Sequence, residues 1–293
     1  MTEVHHFTYG VFNPIAAYLL AFMGSFFGLL CTARARDART RGRRTRWLSI
    51  AAFAIGGGAI WLMHFTAMLG FDVPASPVRF DIAMTLASLL FAVVAVGLGL
   101  MIVGHGPRRL SRVIGAGLLT GGGVLAMHYS GMEAMHVAGT IHYNLALVVA
   151  SAIIAVVASS VALWFAISVR GWAPVIGAAA IMGIAVCGMH YTGMAAMTVS
   201  LNPGLVEVHG IRPLTMIVPI MLITAATIVG VALSALQAMT EEEFTDGAGT
   251  PKRGVHAENN PWSLKQASMA TPARRPSPRP GPVRSTTNGE SLV

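Results

Sequence analysis

A phrase of about ten residues, written three times in a strongly apolar chain, limits what this sequence can build more than any other feature. It reads LMHFTAM at Leu62 to Met68, AMHYSGMEAM at Ala126 to Met135 and CGMHYTGMAAM at Cys187 to Met197. With His64, His128 and His190 as reference the copies align without gaps. Gly57, Gly121 and Gly183 lie seven residues before, Met63, Met127 and Met189 one before, and Met68, Met132 and Met194 four after. An aromatic (Phe65, Tyr129, Tyr191), a hydroxyl (Thr66, Ser130, Thr192) and a small residue (Ala67, Gly131, Gly193) fill the positions between. The histidines are 64 and 62 residues apart, so one structural unit of helix-pair length is used three times.

With 54% hydrophobic and 11% charged residues, the chain is far from the charge content of about 25% usual for soluble domains, and it reads as a membrane protein. Seven apolar runs approach the roughly 20 residues needed to cross a hydrocarbon core. They are about Asn13 to Ala33, Trp47 to Leu69, Ile82 to Val103, Val113 to Met135, Leu145 to Val169, Val175 to Met197 and Leu214 to Met239. The predicted fold is an all-α integral membrane protein with seven transmembrane helices over residues 13–239, built from three repeated helix pairs plus one N-terminal helix.

Charge gives the predicted orientation. Arg34 to Arg46 holds seven arginines against one aspartate, and Arg108, Arg109, Arg112 and Arg170 fall on the same side. Of the 20 basic residues only Arg79 and Arg212 fall on the other. The positive-inside rule then puts the N-terminus (residues 1–12) outside and the C-terminus in the cytoplasm. Basic residues placed on loops and tail, not on a continuous face, also speak against nucleic acid as a partner. Because they follow the first apolar run, that run reads as an uncleaved spanning helix, not a secretory signal. Residues 240–293, Pro, Arg and Ser-rich after an acidic start, lack the large apolar residues of a core and read as a disordered cytoplasmic tail able to rest on anionic lipid. Cys31 and Cys187 stand alone in apolar segments, so neither a CxxC pair nor a disulfide framework is present, and Cys187 reads as a small hydrophobe.

On an α-helix, positions 0, plus four and minus seven share one face. Each motif helix therefore shows a stripe of Gly, His and Met, extended by Met135 and Met197 in copies two and three, and the three stripes are expected to converge near the outer face. The glycine end of each stripe is expected to pack closely against neighbouring helices. Ionisable groups at membrane depth are functional-site candidates. Imidazole serves copper, iron and zinc, and thioether favours Cu(I); Glu133 is the only acid near any copy, which disfavours magnesium and calcium. The candidate metal ligands are Met63, His64, Met68, Met127, His128, Met132, Met189, His190 and Met194. They exceed what a single Cu(I) centre takes, so one site uses a subset or two sites share the cluster. Packing roles stay open: methionine as core filler, histidine as a cross-helix hydrogen-bonding group, Tyr129 and Tyr191 as interfacial aromatics or as partners of the imidazoles. No nucleophile with its base, no carboxylate pair and no phosphate loop is present, and the GGG runs at Gly56 and Gly121 read as packing; enzymatic activity is not expected.

These residues resemble the MHYT domain, a bacterial integral-membrane sensory family named for the tetrad Met189, His190, Tyr191, Thr192, and the resemblance runs from about Tyr9 to Met239. It implies a multi-pass sensor in the bacterial plasma (inner) membrane that binds copper and through it detects oxygen, carbon monoxide or nitric oxide. The ligands it implies are Met63, His64, Met127, His128, Met189 and His190. Copies one and two read MHFT and MHYS, which excludes a tyrosine ligand in copy one. Family members are often fused to cyclic-di-GMP synthase or phosphodiesterase domains or to histidine kinases. Here a short tail follows, so output is expected either through a cytoplasmic signalling partner or not at all. The expected partners are thus the lipid bilayer, a diatomic gas and that protein, with oligomeric state left open. Alternatives are a Cu(I) transporter or chaperone-like membrane protein, a bis-histidine haem electron carrier and a structural subunit without ligand.

Overall fold

The computed structural model describes residues 8, 10–74, 76–201 and 208–213, with positions 215, 218, 219, 222, 225, 226, 229 and 230. Among these residues, six helices are long and apolar enough to cross a membrane. They are α1 (Phe12–Asp37), α2 (Arg41–Met68), α3 (Ile82–Gly104), α4 (Leu110–Glu133), α5 (Leu145–Ser168) and α6 (Trp172–Ala195). The expected seventh run, Leu214 to Met239, lies largely outside the described residues, although its described positions up to Gly230 are helical. The tail 240–293 lies wholly outside them, as does most of the 1–12 segment.

The arginine-rich stretch is less of a loop than the sequence suggests. α1 runs on to Asp37 and α2 starts at Arg41, where Thr40 Oγ1 accepts from Arg43 N–H at 3.3 Å. Charged side chains tolerate helix well, and only the three residues between turn the chain. α3 and α5 start on side-chain caps: Asp81 Oδ1 accepts from Met84 N–H at 2.7 Å, and Asn144 Oδ1 from Ala146 N–H at 3.0 Å. These caps satisfy amides that have no partner in the first turn. Gly171, at φ 85°, makes the turn into α6 in a backbone region open to glycine.

The helices pack side by side into a closed ring: each lies against the next in sequence, and α6 returns to α1. Motif-bearing helices α2, α4 and α6 alternate with the others, so their motif ends share one end of the ring. The same hydrogen bond recurs in all three units. Six residues after each histidine, the carbonyls of Gly70, Ala134 and Ala196 accept from the N–H groups of Thr8, Asp81 and Asn144 at 3.0, 2.8 and 2.8 Å. Those donors stand before α1, at the cap of α3 and at the cap of α5. This bond ties the starts of α1, α3 and α5 to the end of the motif helix that follows each of them.

α2 departs from the other two motif helices. Its middle, Phe53–Leu62, is a π-helix between two α segments. A π-helix closes i→i+5 bonds and takes more residues per turn than the 3.6 of an α-helix. That shifts the close-packing glycine by one position. A Cβ on Gly121 would stand 2.7 Å from Val156 Cα on α5, and one on Gly183 3.1 Å from the Tyr18 ring on α1. In α2 the counterpart is Gly56, 2.8 Å from the Ala92 carbonyl on α3, whereas Gly57, seven before His64, sits at an ordinary 3.7 Å from Leu89. Trp61 completes that contact, its Nε1–H donating to Thr85 O at 3.2 Å and Ser88 Oγ at 3.0 Å.

Short antiparallel strands cap the motif end: β1 (Arg79–Phe80) pairs with β2 (Met135–His136), and β3 (Gly139–Tyr143) with β4 (Met197–Leu201). Met135 and Met197 lie in these strands, since α4 ends at Glu133 and α6 at Ala195. The expected extension of the helical His/Met stripe to these two residues is thus corrected: the chain has left the helix before it reaches them.

Candidate metal centre

Each histidine sits in the last turns of its helix, where the alternating helices of the ring meet. All three rings are enclosed: His64 and His128 are 0% exposed and His190 1%. Their Nδ1 atoms point at one another. His64 Nδ1 lies 3.0 Å from His190 Nδ1 and 3.2 Å from His128 Nδ1. One ring nitrogen from each of the three falls within 4.8 Å of the others. The ring planes cross at 79°, 84° and 87°, with centroids 5.0, 4.9 and 5.2 Å apart, as blades set about an axis.

Protein atoms alone do not satisfy this arrangement. A neutral imidazole has one N–H and one bare nitrogen, so each Nδ1 is either donor or acceptor. His64 Nδ1 has two such neighbours, His190 and His128, and a single N–H or lone pair to offer them. The outer nitrogens give no relief, because His64 Nε2 and His128 Nε2 are buried without a hydrogen-bond partner. A buried polar atom left so costs about 1–3 kcal/mol. A cation receiving a lone pair from every Nδ1 removes the conflict of roles. Three nitrogens in a trigonal set, each about 2.0 Å from one ion, stand about 3.5 Å apart, a few tenths beyond the distances seen here. The residues fit a metal ion.

Comparison with known proteins finds the threefold repeat of the motif, each unit running from a motif helix into the next. The family model MHYT, described as a bacterial signalling protein N-terminal repeat, matches at residues 57–116, 121–179 and 183–244, each match opening seven residues before a motif histidine. The chain belongs to the MHYT family. It is 36% identical over 233 residues to the bifunctional diguanylate cyclase/cyclic di-GMP phosphodiesterase MucR of Pseudomonas aeruginosa, a stretch that covers 76% of this chain and 34% of MucR. It is 32% identical over 204 residues to the cyclic di-GMP phosphodiesterase NbdA of the same organism, covering 67% of this chain and 25% of NbdA. An uncharacterized signaling protein of Caulobacter vibrioides is 31% identical over 119 residues, 41% of this chain and 14% of that protein. The chain thus spans about a third or less of the length of these relatives. No solved structure matches.

Around the MHYT histidines the remaining motif positions take distinct parts. The aromatic at plus one packs edge-on against its own histidine in every copy, with centroids 4.8 Å apart for His64–Phe65, 4.9 Å for His128–Tyr129 and 4.9 Å for His190–Tyr191. The Tyr129 hydroxyl pairs with Ser151 Oγ on α5 at 2.8 Å, so it does not orient the imidazole. A ring is what this position supplies, and phenylalanine serves as well. The hydroxyls at plus two turn back onto their own helices, Ser130 Oγ donating to Met127 O at 3.1 Å and Thr192 Oγ1 to Gly188 O at 2.7 Å.

The small residue at plus three is the functional position that sequence reasoning passed over. A Cβ on Gly131 would stand 2.5 Å from His64 Nε2, and one on Gly193 would overlap the His128 ring, 2.9 Å from Cδ2. Each glycine makes room for the histidine of the preceding copy. Its signal was present, a small residue in all three copies, but helical periodicity relates residues within one helix and does not show which copy a residue serves.

All six candidate methionines are buried. Met68, Met127, Met132, Met189 and Met194 belong to the main apolar core, and Met63 packs in a separate group with Ala17, Ala21 and Ala67, beside half-buried Cys187. Glu133 is exposed at the end of α4, and no Asp, Glu or Cys joins the histidine cluster among the described residues.

Proposed function

We propose that this MHYT protein is a membrane sensory unit in which His64, His128 and His190 hold one copper ion through Nδ1. The observation that carries the reading is the convergence of the three buried Nδ1 atoms, 3.0 and 3.2 Å apart, in an arrangement that protein hydrogen bonds leave unsatisfied. Bound there, copper would supply a redox-active centre able to take oxygen, carbon monoxide or nitric oxide. Met63, Met68, Met127, Met132, Met189 and Met194 are assigned to the soft surroundings that favour Cu(I) over harder cations. Complete burial of the rings favours a resident ion over one in transit. A haem needs a planar slot between its axial imidazoles, and the 3.0 Å approach of His64 to His190 leaves none.

The signal is assigned to a partner. MucR and NbdA, by name, make or degrade cyclic di-GMP, and the stretch matched here covers a third and a quarter of them. We assign this chain the non-catalytic sensory part of such a system, in the bacterial plasma membrane, with the motif end and N-terminus outside and the arginine-rich end in the cytoplasm.

Copper per protein, measured by elemental analysis in the parent, the three single His→Ala variants and the three doubles, tests the shared site. Each single change is expected to remove most of the copper, and the doubles to add little, because groups acting as one unit are strongly non-additive. Thermal unfolding of the same set separates metal loss from misfolding. Copper retained in all three singles overturns the reading.

A further inference from the structure

The end of the bundle opposite the histidines holds a second cluster, and it is cationic. Between the C-terminal ends of α1, α3 and α5 and the start of α2 lies a cavity of about 150 Å3, lined by Arg36, Arg44, Arg108 and Arg170 beside Leu48 and Leu100. Two of the four are committed to the fold. Arg36 donates through both terminal nitrogens to Ala166 O and Val169 O at the end of α5. Arg44 donates through Nε to Ala35 O at 3.3 Å and through Nη1 to Gly104 O at 3.4 Å, at the ends of α1 and α3. The last carbonyls of a helix have no donor within it, so these arginines act as caps.

Capping does not account for the other two. Arg108 and Arg170 are exposed at the rim and make no hydrogen bond or ion pair among the described residues. Arg112 folds against Gly106 on the same rim, while Asp37 is the one described acid at this end. Like charges gathered on one cavity repel unless an anion joins them. The planar guanidinium fork matches phosphate oxygens, and basic pockets between membrane helices suit anionic head groups.

We propose that this cavity binds a phosphate group, with Arg108 and Arg170 holding its oxygens and the wall of Leu48 and Leu100 receiving the carbon skeleton attached to it. An anionic phospholipid and a soluble phosphate ester offer the same chemistry. The full-length protein is to be melted in detergent with inorganic phosphate or chloride at equal ionic strength, and in nanodiscs of phosphatidylcholine with or without phosphatidylglycerol. The paired change Arg108→Gln with Arg170→Gln keeps both caps. Phosphate or phosphatidylglycerol is expected to raise the melting temperature of the parent, and the variant to need at least tenfold more for the same shift. Without either, the variant is expected to melt no lower than the parent, having lost repulsion and no cap. A response in the phosphatidylglycerol discs alone identifies a lipid head group; a response to inorganic phosphate in detergent identifies a soluble ester. Equal responses from parent and variant, or none from the parent, overturn the proposal. Native mass spectrometry of the parent decides the matter should the variant not fold: no phosphatidylglycerol or phosphate retained on it also overturns the site.

Discussion

Gly131 on α4 lies against the Nε2 edge of His64 on α2, so one copy of the motif makes the space occupied by the histidine of another. Gly131→Ala puts a methyl group 2.5 Å from that nitrogen, closer than side-chain atoms pack, and the ring has to move. Copper content is expected to fall at least tenfold. Gly122→Ala is the control, because a Cβ there meets nothing within 4 Å. It is expected to keep its copper and to gain about 0.5–1 kcal/mol from the better helix former. Full loading in Gly131→Ala would show that the close approach is dispensable.

Tyr129→Phe separates the ring from its hydroxyl. The ring stays edge-on to His128, as Phe65 does to His64, while the 2.8 Å bond to Ser151 is lost. Copper content is expected to be unchanged, with a stability loss of about 0.6–1 kcal/mol in thermal unfolding. Ser151→Ala should cost a similar amount, and the double change little more. Copper lost with the hydroxyl would return Tyr129 to the coordination of the site.

Much of this fold was legible in the sequence, because the length of an apolar run is set by the hydrocarbon thickness that a spanning helix has to match. Expected boundaries such as Ile82 to Val103 and Leu145 to Val169 fall within a residue of α3 and α5. The convergence of His64, His128 and His190 followed from their equal place in three copies. The π-helix was not legible: Phe53 to Leu62 has the composition of any apolar span, and the gapless alignment paired Gly57 with Gly121 where the fold pairs Gly56. Nor were the strands, since pairs as short as Arg79–Phe80 with Met135–His136 are set by contacts across more than fifty residues. The direction of the Tyr129 hydroxyl depends on Ser151 of a neighbouring helix, which motif spacing does not register.

Met68→Leu tests the thioethers. Met68 is 1% exposed, and a swap of nearly equal volume is expected to change stability by less than about 1.5 kcal/mol. If its sulfur contributes to the site, Cu(I) affinity falls by tenfold or more while Zn(II) binding is little altered. Competition titrations with a Cu(I) chelator read the difference. Equal Cu(I) affinity in Met68→Leu, Met132→Leu and Met194→Leu would leave these three residues as core.

Tyr143 on β3 gives a pH signature outside the spans. Burial first, and then the charges of Glu133 and Tyr129, push its pKa up from 10.0 to about 12. The folded value lies above the unfolded one, so the fold favours the protonated phenol. That contribution is complete below pH 10 and is lost as pH rises toward 12. Ultraviolet titration of the parent minus Tyr143→Phe reads this group alone, and Glu133→Gln is expected to lower its midpoint. An unmoved midpoint would remove Glu133 from the account.

The ring is closed by the first helix against the sixth, and this imposes an order in time. α1 starts at Phe12 and α6 at Trp172, about 160 residues later. At roughly 5–20 residues per second of synthesis, α1 waits on the order of 8 to 30 s for the helix that meets it among the described residues. His64 and His128 are already synthesised during that interval, but the third imidazole arrives only with α6. The three imidazoles can therefore come together only after translation of the sixth helix, and a chain truncated before Trp172 carries two of the three.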